Sequence, residues 1–264
     1  MKNTIYPVIV IYNCRCEDSP SCSALLRLGI SPLIVDNSTA DYGNEAFCLA
    51  HGLVFLPMHG NAGLTKAYNA ALDSLRSRDG TVIWLDDDTE LNQDYLNTLD
   101  GALSAEPETQ IFLPLVVSLG DRRKLLSPCI YGKFRMKRAD SCDALRGAHI
   151  SAINSGMAVR LSVYDRYRYD EALFLDYVDH DFMLTAMASG LRYAIMEHAT
   201  LYQNFSGDTV AGSSQIMSRF SIFKKDYLAF AKKHGLPLVV VSVLLAIRKR
   251  KLKALSRQLN CAGR

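Results

Sequence analysis

Apolar residues in the first third of the chain come in short unbroken runs: PVIVIY (Pro7 to Tyr12), PLIVD (Pro32 to Asp36), LVFLPM (Leu53 to Met58) and TVIWL (Thr81 to Leu85). Continuous rather than alternating hydrophobicity predicts strands covered on both faces. Between the runs, SALLRLG, NEAFCLAHG and LTKAYNAALDSL carry apolar side chains at helical spacing, and glycine closes the first two. The rhythm is β-α-β-α-β-α-β, which predicts a largely parallel sheet flanked by helices, a nucleotide-binding type of α/β half. A helix near Tyr95 to Leu103 and a strand, IFLPLVV, extend it. The basic stretch that follows, with Arg122, Arg123, Lys124, Lys133, Arg135, Lys137 and Arg138, predicts a loop. From His149, HISAINSGMAVR reads as strand and turn, VDHDFMLTAMASG as a helix ending at Gly190, and RYAIMEHATL as a last strand. No repeat or Pro/Ser-rich linker separates the halves, so they are expected to share one sheet.

With 264 residues, 49% hydrophobic and 22% charged, the composition is that of a globular chain and excludes disorder, collagen-like repeats and coiled coil as accounts of the whole. The longest apolar run, Leu236 to Ile247, holds twelve residues and includes Pro237 and Ser242. A membrane-spanning helix needs about 20, so none is expected. The amino terminus enters its first strand without the apolar region and cleavage site of a secretory signal, which predicts a cytoplasmic location. Seven cysteines, an odd number, fit reduced thiols in such a compartment. Cys14, Cys16 and Cys22 cluster as C-x-C-x5-C, but no second ligand pair stands at zinc-site spacing.

Charge is unevenly placed. Residues 219–264 hold twelve Lys or Arg against the single acid Asp226, a balance of +11, so the net charge of +3 leaves residues 1–218 at −8. The acidic body excludes nucleic acid as a partner. In the basic stretch Phe220, Phe223, Tyr227 and Phe230 interleave with lysines, and the long apolar run is followed by Arg248, Lys249, Arg250, Lys251 and Lys253. This pattern predicts an amphipathic helical region that contacts a membrane surface, at about 1 kcal/mol per basic side chain. The other account is a helix pair packed on the body with its basic face in solvent.

Polar side chains stand where the runs end: Asn13, Asp36 and Asn37, and the triplet Asp86, Asp87, Asp88. In an open α/β sheet the ligand crevice lies outside those carboxyl ends. Three adjacent carboxylates repel one another unless a cation offsets them, which points to Mg²⁺ or Mn²⁺ completed by phosphate oxygens. Helix capping by Asp88 accounts for one aspartate, not three. A D-x-D-x-T phosphatase motif needs Thr where Glu90 stands.

VIVIYN, VDNS, HGNAGLTKAYNAAL, WLDDDTEL, NSGMAVR (Asn154 to Arg160) and FLDYVDHDFMLTAMASGLR occur in the order and spacing of the family 2 nucleotide-sugar glycosyltransferases. Over about residues 5–205 the chain resembles that family, and its rhamnosyltransferase-like bacterial members in particular. The resemblance implies a GT-A type Rossmann-like mixed sheet flanked by helices. It implies a domain over 1–218, with a nucleotide-sugar half (1–110) and an acceptor half (111–218), followed by the basic amphipathic helical region 219–264. It makes Asp88 a metal ligand with His198 as a further one, and assigns Tyr12, Asp36, Asn61, Gly63, Asp86 and Asp87 to the donor. A lone His in a strand is otherwise structural.

Of three acids on the predicted acceptor-side helix, Asp176 and Asp179 are three apart, whereas Asp181 is turned about 200° from Asp179. The family's Glu-Asp pair aligns with Val178 and Asp179, so the resemblance makes Asp179 the general base, with Asp176 and Asp181 as alternatives. A solvated first-turn acid is the plain account of Asp179. Val178 in place of Glu and Thr185 in place of Arg depart from the family pattern. The implied reaction is an inverting, metal-dependent transfer from a dTDP- or UDP-sugar to a glycan or lipid-linked glycan of a surface polysaccharide such as O-antigen. Rhamnose from dTDP-rhamnose is the leading donor, with UDP-hexose or galactofuranose as alternatives, at the cytoplasmic face of the inner membrane. A non-catalytic sugar-nucleotide or glycan-binding protein is the rival.

Overall fold

The computed structural model describes residues 3–121, 124–203 and 213–262. Strands β1 (Ile5–Ile11), β2 (Leu33–Asp36), β3 (Val54–Pro57) and β4 (Thr81–Asp86) alternate with helices α1 (Pro20–Arg27), α2 (Asn44–His51) and α3 (Leu64–Ser74). Helix α4 (Gln93–Ala105) leads into β5 (Ile111–Ser118). Four short strands follow, β6 (Leu125–Ser127), β7 (Cys129–Gly132), β8 (Arg135–Lys137) and β9 (Ile150–Ser151), and then β10 (Ala158–Arg160). Helix α5 (Val178–Ala188), strand β11 (Tyr193–Gln203) and helices α6 (Ser213–Lys233) and α7 (Leu238–Ala262) complete the order.

The central sheet runs β11-β5-β10-β4-β1-β2-β3, with β6 paired to β5. Its pairs are parallel except those made by β10 and β6. The mixed sheet flanked by helices is the architecture that the sequence implies, and strands from both halves of the chain join it. Successive side chains point to opposite faces, so Val8, Val10, Val82 and Trp84 enter one core while Ile9, Ile11, Ile83 and Leu85 enter the other. Helices α1, α2 and α4 cover the second core; α3, α5 and parts of α6 and α7 cover the first. Trp84 is fully buried and donates its indole N–H to Tyr164 at 2.8 Å, which removes the cost of an unmade hydrogen bond from its burial.

Local chemistry explains the boundaries. Ser19 caps α1 by accepting from Cys22 N–H, with Pro20 in the first turn, so the helix begins earlier than its apolar spacing indicates. Asn92 caps α4 by accepting from Tyr95 N–H at 2.8 Å. Two expectations change. Strand β3 lies at the sheet edge, where Val54 is 56% exposed, so continuous hydrophobicity there does not mean cover on both faces. The basic stretch expected as a loop forms β6, β7 and β8, and β8-β7-β9 make a separate three-stranded sheet; Arg122 and Arg123 lie outside the described residues.

The C-terminal aromatic set turns inward: Phe220, Tyr227 and Phe230 are buried in the first core. Asp226 is fully buried on α6 and accepts the backbone N–H groups of Phe174, Leu175 and Asp176 at 3.0, 2.8 and 2.8 Å. On α7, Val241 and Leu245 face the core, while Val239, Val243 and Ile247 stay exposed. Among the described residues no helix is long and apolar enough to cross a membrane.

Candidate active site

The carboxyl ends of β1, β2 and β4 open into a cleft of about 810 Å³ that contains Tyr12, Asn37, Asn61, all three residues of the Asp86–Asp88 triplet, and Asp179. The triplet is bolted from behind. Ser19 donates to the Asp87 carbonyl at 2.6 Å, and the Ser21 hydroxyl lies between the carbonyls of Asp86 and Thr89 while accepting Thr89 N–H at 2.9 Å. Backbone held this way turns the three side chains toward the cleft.

Within the triplet, Asp86 Oδ2 accepts from the Ser155 hydroxyl and from Gln203 Nε2, the latter at 2.7 Å. The same amide nitrogen reaches Asp88 Oδ1 at 3.1 Å. Gln203 ends β11, and a register shift between Met196 and Thr200 together with a bridge from Glu90 to Tyr202 carries that strand end to the acids. Burial, then the Asp86 charge, pushes the Asp87 carboxyl up to about 6. Burial and the charges of Asp86 and Asp87 raise Asp88 to about 7, against the pull of the Gln203 amide.

Asp179 stands in the first turn of α5, whose entry residue Tyr177 has φ +64. Its Oδ2 accepts Asn154 N–H at 3.1 Å, and Oδ1 is buried with no hydrogen-bond partner among the described residues. Burial, followed by the Asp86 charge, lifts its pKa to about 7. Beside it His180 shares a 2.7 Å hydrogen bond with Ser151, and burial lowers its pKa to about 4, so it is neutral at pH 7.

Asn61 accepts from the Asn37 amide and from Gly63 N–H, both at 3.2 Å, which shapes the turn before α3. Gly63 has φ +94, and a Cβ there would stand 2.7 Å from the Phe174 ring, so the position requires glycine twice over.

Other sequence-derived candidates are placed elsewhere. Asp36 spends both carboxylate oxygens on Ser38 N–H and the Asn44 amide, at 2.9 and 3.0 Å, and Asn37 rather than Asp36 faces the cleft. Asp176 precedes α5 and is gripped by both terminal nitrogens of Arg219. Asp181 is buried and bonded to Lys233 and His234, each at 2.8 Å. His198 is exposed within the β11 register shift and is not among the cleft residues. Gln203 gave no sequence signal, being one glutamine at a strand end; Ser155 lies in the quoted NSG turn. The cleft lining also holds cations: Lys137 at the end of β8, Arg138 just after it, and Arg219 of α6.

Among the described residues no group of three or more His, Cys, Asp or Glu side chains is placed to hold a metal alone. The cleft does offer two adjacent carboxylates whose ionisation is resisted by burial and by the charges of their neighbours in the triplet. Mg²⁺ or Mn²⁺ bound by one or two carboxylates and finished by phosphate oxygens fits this donor set.

No family model matches the chain, and no curated protein matches it. Solved structures do. The mannosyltransferase PcManGT from Pyrobaculum calidifontis, in complex with GDP-Man and Mn²⁺, matches with a TM-score of 0.56 over 88% of this chain at 14% identity. The chain shares the fold of that structure. It spans 65% of the mannosyltransferase's length. HddC from Yersinia pseudotuberculosis matches over 76% of this chain and 93% of its own at 16% identity, with a TM-score of 0.42.

Proposed function

We propose that the protein transfers a sugar from a nucleotide donor to a hydroxyl acceptor with inversion at the anomeric carbon. The observation that carries this reading is the pairing, in one cleft, of the acid triplet with Asp179, whose Oδ1 has no partner among the described residues and whose pKa of about 7 suits a base at neutral pH.

Asp87 and Asp88 are the residues that would hold a divalent cation. When bound, such a cation supplies positive charge against the diphosphate of the donor. Asp86 is held by Ser155 and Gln203 and fixes the local charge that raises its neighbours. Tyr12, Asn37 and Asn61 line the nucleotide side. Asp179 takes the proton of the attacking hydroxyl. Neutral His180 holds Ser151 and adds no charge next to the base. Under this reading the donor is a dTDP- or UDP-sugar, rhamnose first, because of the rhamnosyltransferase-like motifs. The acceptor is a glycan of a surface polysaccharide, and the enzyme works at the cytoplasmic membrane face.

Donor turnover tests the proposal. A panel of nucleotide sugars with Mn²⁺ should show slow release of nucleoside diphosphate from one of them, absent with EDTA. Tight nucleotide binding without release would make the chain a binding protein, and neither binding nor release would sink the proposal.

A further inference from the structure

Two cavities share Lys137 as a lining residue. One is the cleft; the other, about 560 Å³, lies between α7 and the turn joining β7 to β8. Its walls are the rings of Phe134, Tyr177, Phe223 and Tyr227 and the aliphatic side chains of Val240 and Leu244. Those walls are tied together. Tyr227 donates to the Phe134 carbonyl at 2.9 Å, and Tyr177 stacks on Tyr227 with centroids 4.9 Å apart. Arg248 lies over the Phe223 ring at 3.7 Å.

The charge in this second cavity is of one sign: Lys133, Arg135, Lys137 and Arg248 line it, and no carboxylate does. On the outer side of α7 the aliphatic surface continues into solvent through Val239, Val243 and Ile247, with Val239 79% exposed. The apolar groove thus borders an exposed aliphatic patch at one end and, at Lys137, shares a cationic lining residue with the cleft that contains Asp179.

We infer that this groove binds the hydrocarbon chain of a lipid-anchored acceptor, with the phosphate-type headgroup at Lys137 and Arg138 and the glycan hydroxyl extending to Asp179. The inference rests on the transferase reading and names the class of acceptor for that site: an anionic amphiphile. Apolar rings select the chain, and the cations select the headgroup. Contact with a bilayer surface alone needs neither a concave aromatic wall nor a cation shared with the cleft.

The test uses the full chain in EDTA with three probes: inorganic diphosphate, farnesol, and farnesyl diphosphate below its micellar concentration. Farnesyl diphosphate should bind at least tenfold more tightly than either fragment. The double variant Val240→Glu, Leu244→Glu, at two half-exposed positions, should lose that advantage and keep diphosphate binding. Lys137→Glu, on an exposed position of β8, should weaken both phosphorylated probes and serves if the double variant fails to fold. Equal affinity for farnesyl diphosphate and diphosphate overturns the inference, as does binding indifferent to Lys137→Glu. Binding to phosphatidylglycerol vesicles without saturable farnesyl diphosphate binding also overturns it, in favour of surface contact. Nucleotide with Mn²⁺ is titrated in parallel. If it fails while the amphiphile binds through Val240 and Leu244, the groove stands and the transferase reading falls; if only nucleotide binds, the groove falls.

Discussion

Asp226 on α6 accepts the backbone N–H of Leu175 at 2.8 Å from 51 residues away in the chain. With Phe174 and Asp176 donating to the same carboxylate, the one acid of the basic C-terminal stretch fixes the loop that walls the cleft and leads to Asp179. Asp226→Ala leaves three backbone donors without their acceptor and should lower stability by about 3 kcal/mol or more in urea unfolding. Asp226→Asn, which keeps one carbonyl oxygen, should lose less. Equal stability of wild type and Ala variant would mean that the loop is held by other contacts.

Asp179→Asn preserves volume and removes the base. Turnover should fall by about 10² to 10⁴-fold, with nucleotide affinity unchanged. In wild type, turnover should rise with pH up to about 7 and then level, because the carboxylate form is the base and its pKa is about 7. A variant as active as wild type would move the base elsewhere in the cleft.

The same acids set a stability profile. Asp87, Asp88 and Asp179 have folded pKa values of about 6, 7 and 7, raised from an ordinary 3.8. The folded state binds these protons more tightly than the unfolded chain, so the contribution is fully present below the unfolded pKa of 3.8 and is lost as pH rises from there through the folded values of about 6 and 7. Metal-free protein should therefore lose Tm as pH climbs across that window, and Mn²⁺ with nucleotide should restore more on the alkaline side than on the acid side. A profile that is flat with and without metal would show that these carboxylates are not strained by one another.

Gly63→Ala places a methyl 2.7 Å from the Phe174 ring at φ +94. The strain should cost about 1–3 kcal/mol, and displacement of Phe174, a cleft residue, should weaken nucleotide binding as well. Urea unfolding and calorimetry on one preparation check both effects; an unchanged midpoint would show that the turn relaxes.

Where sequence and structure agree, the information is local. Periodicity and turn residues locate β1, β2, β4 and the helices between them, because burial on both faces forces continuous apolar runs and caps need particular side chains. Acids at a strand end mark the cleft because the sheet topology sends every parallel strand's carboxyl end to one edge. What was not legible depends on which side chains the fold brings together. Asp36 reads as a ligand-facing acid until Asn44, eight residues on, takes one of its oxygens. Asp181 reads as a spare base until Lys233 and His234 close over it. Gln203 has no local mark, since its role comes from a strand irregularity that swings it beside Asp88. The small sheet leaves no periodic signal because its strands are two to four residues long, too short for an alternation to stand out.

Strand β10 runs against its neighbours, between β4 and β5, and the turn before it hangs on Trp84 through Gly156 N–H to Trp84 O at 2.7 Å. The segment that feeds Asn154 to Asp179 and Ser155 to Asp86 is therefore stitched to the strand that ends in the acids. The two sides of the cleft, the acid triplet and Asp179, thus rest on one hydrogen-bonded floor. A substitution at Asn154 or Ser155 is therefore felt by both carboxylates at once, so the two sides of the cleft cannot be tuned one at a time through this segment.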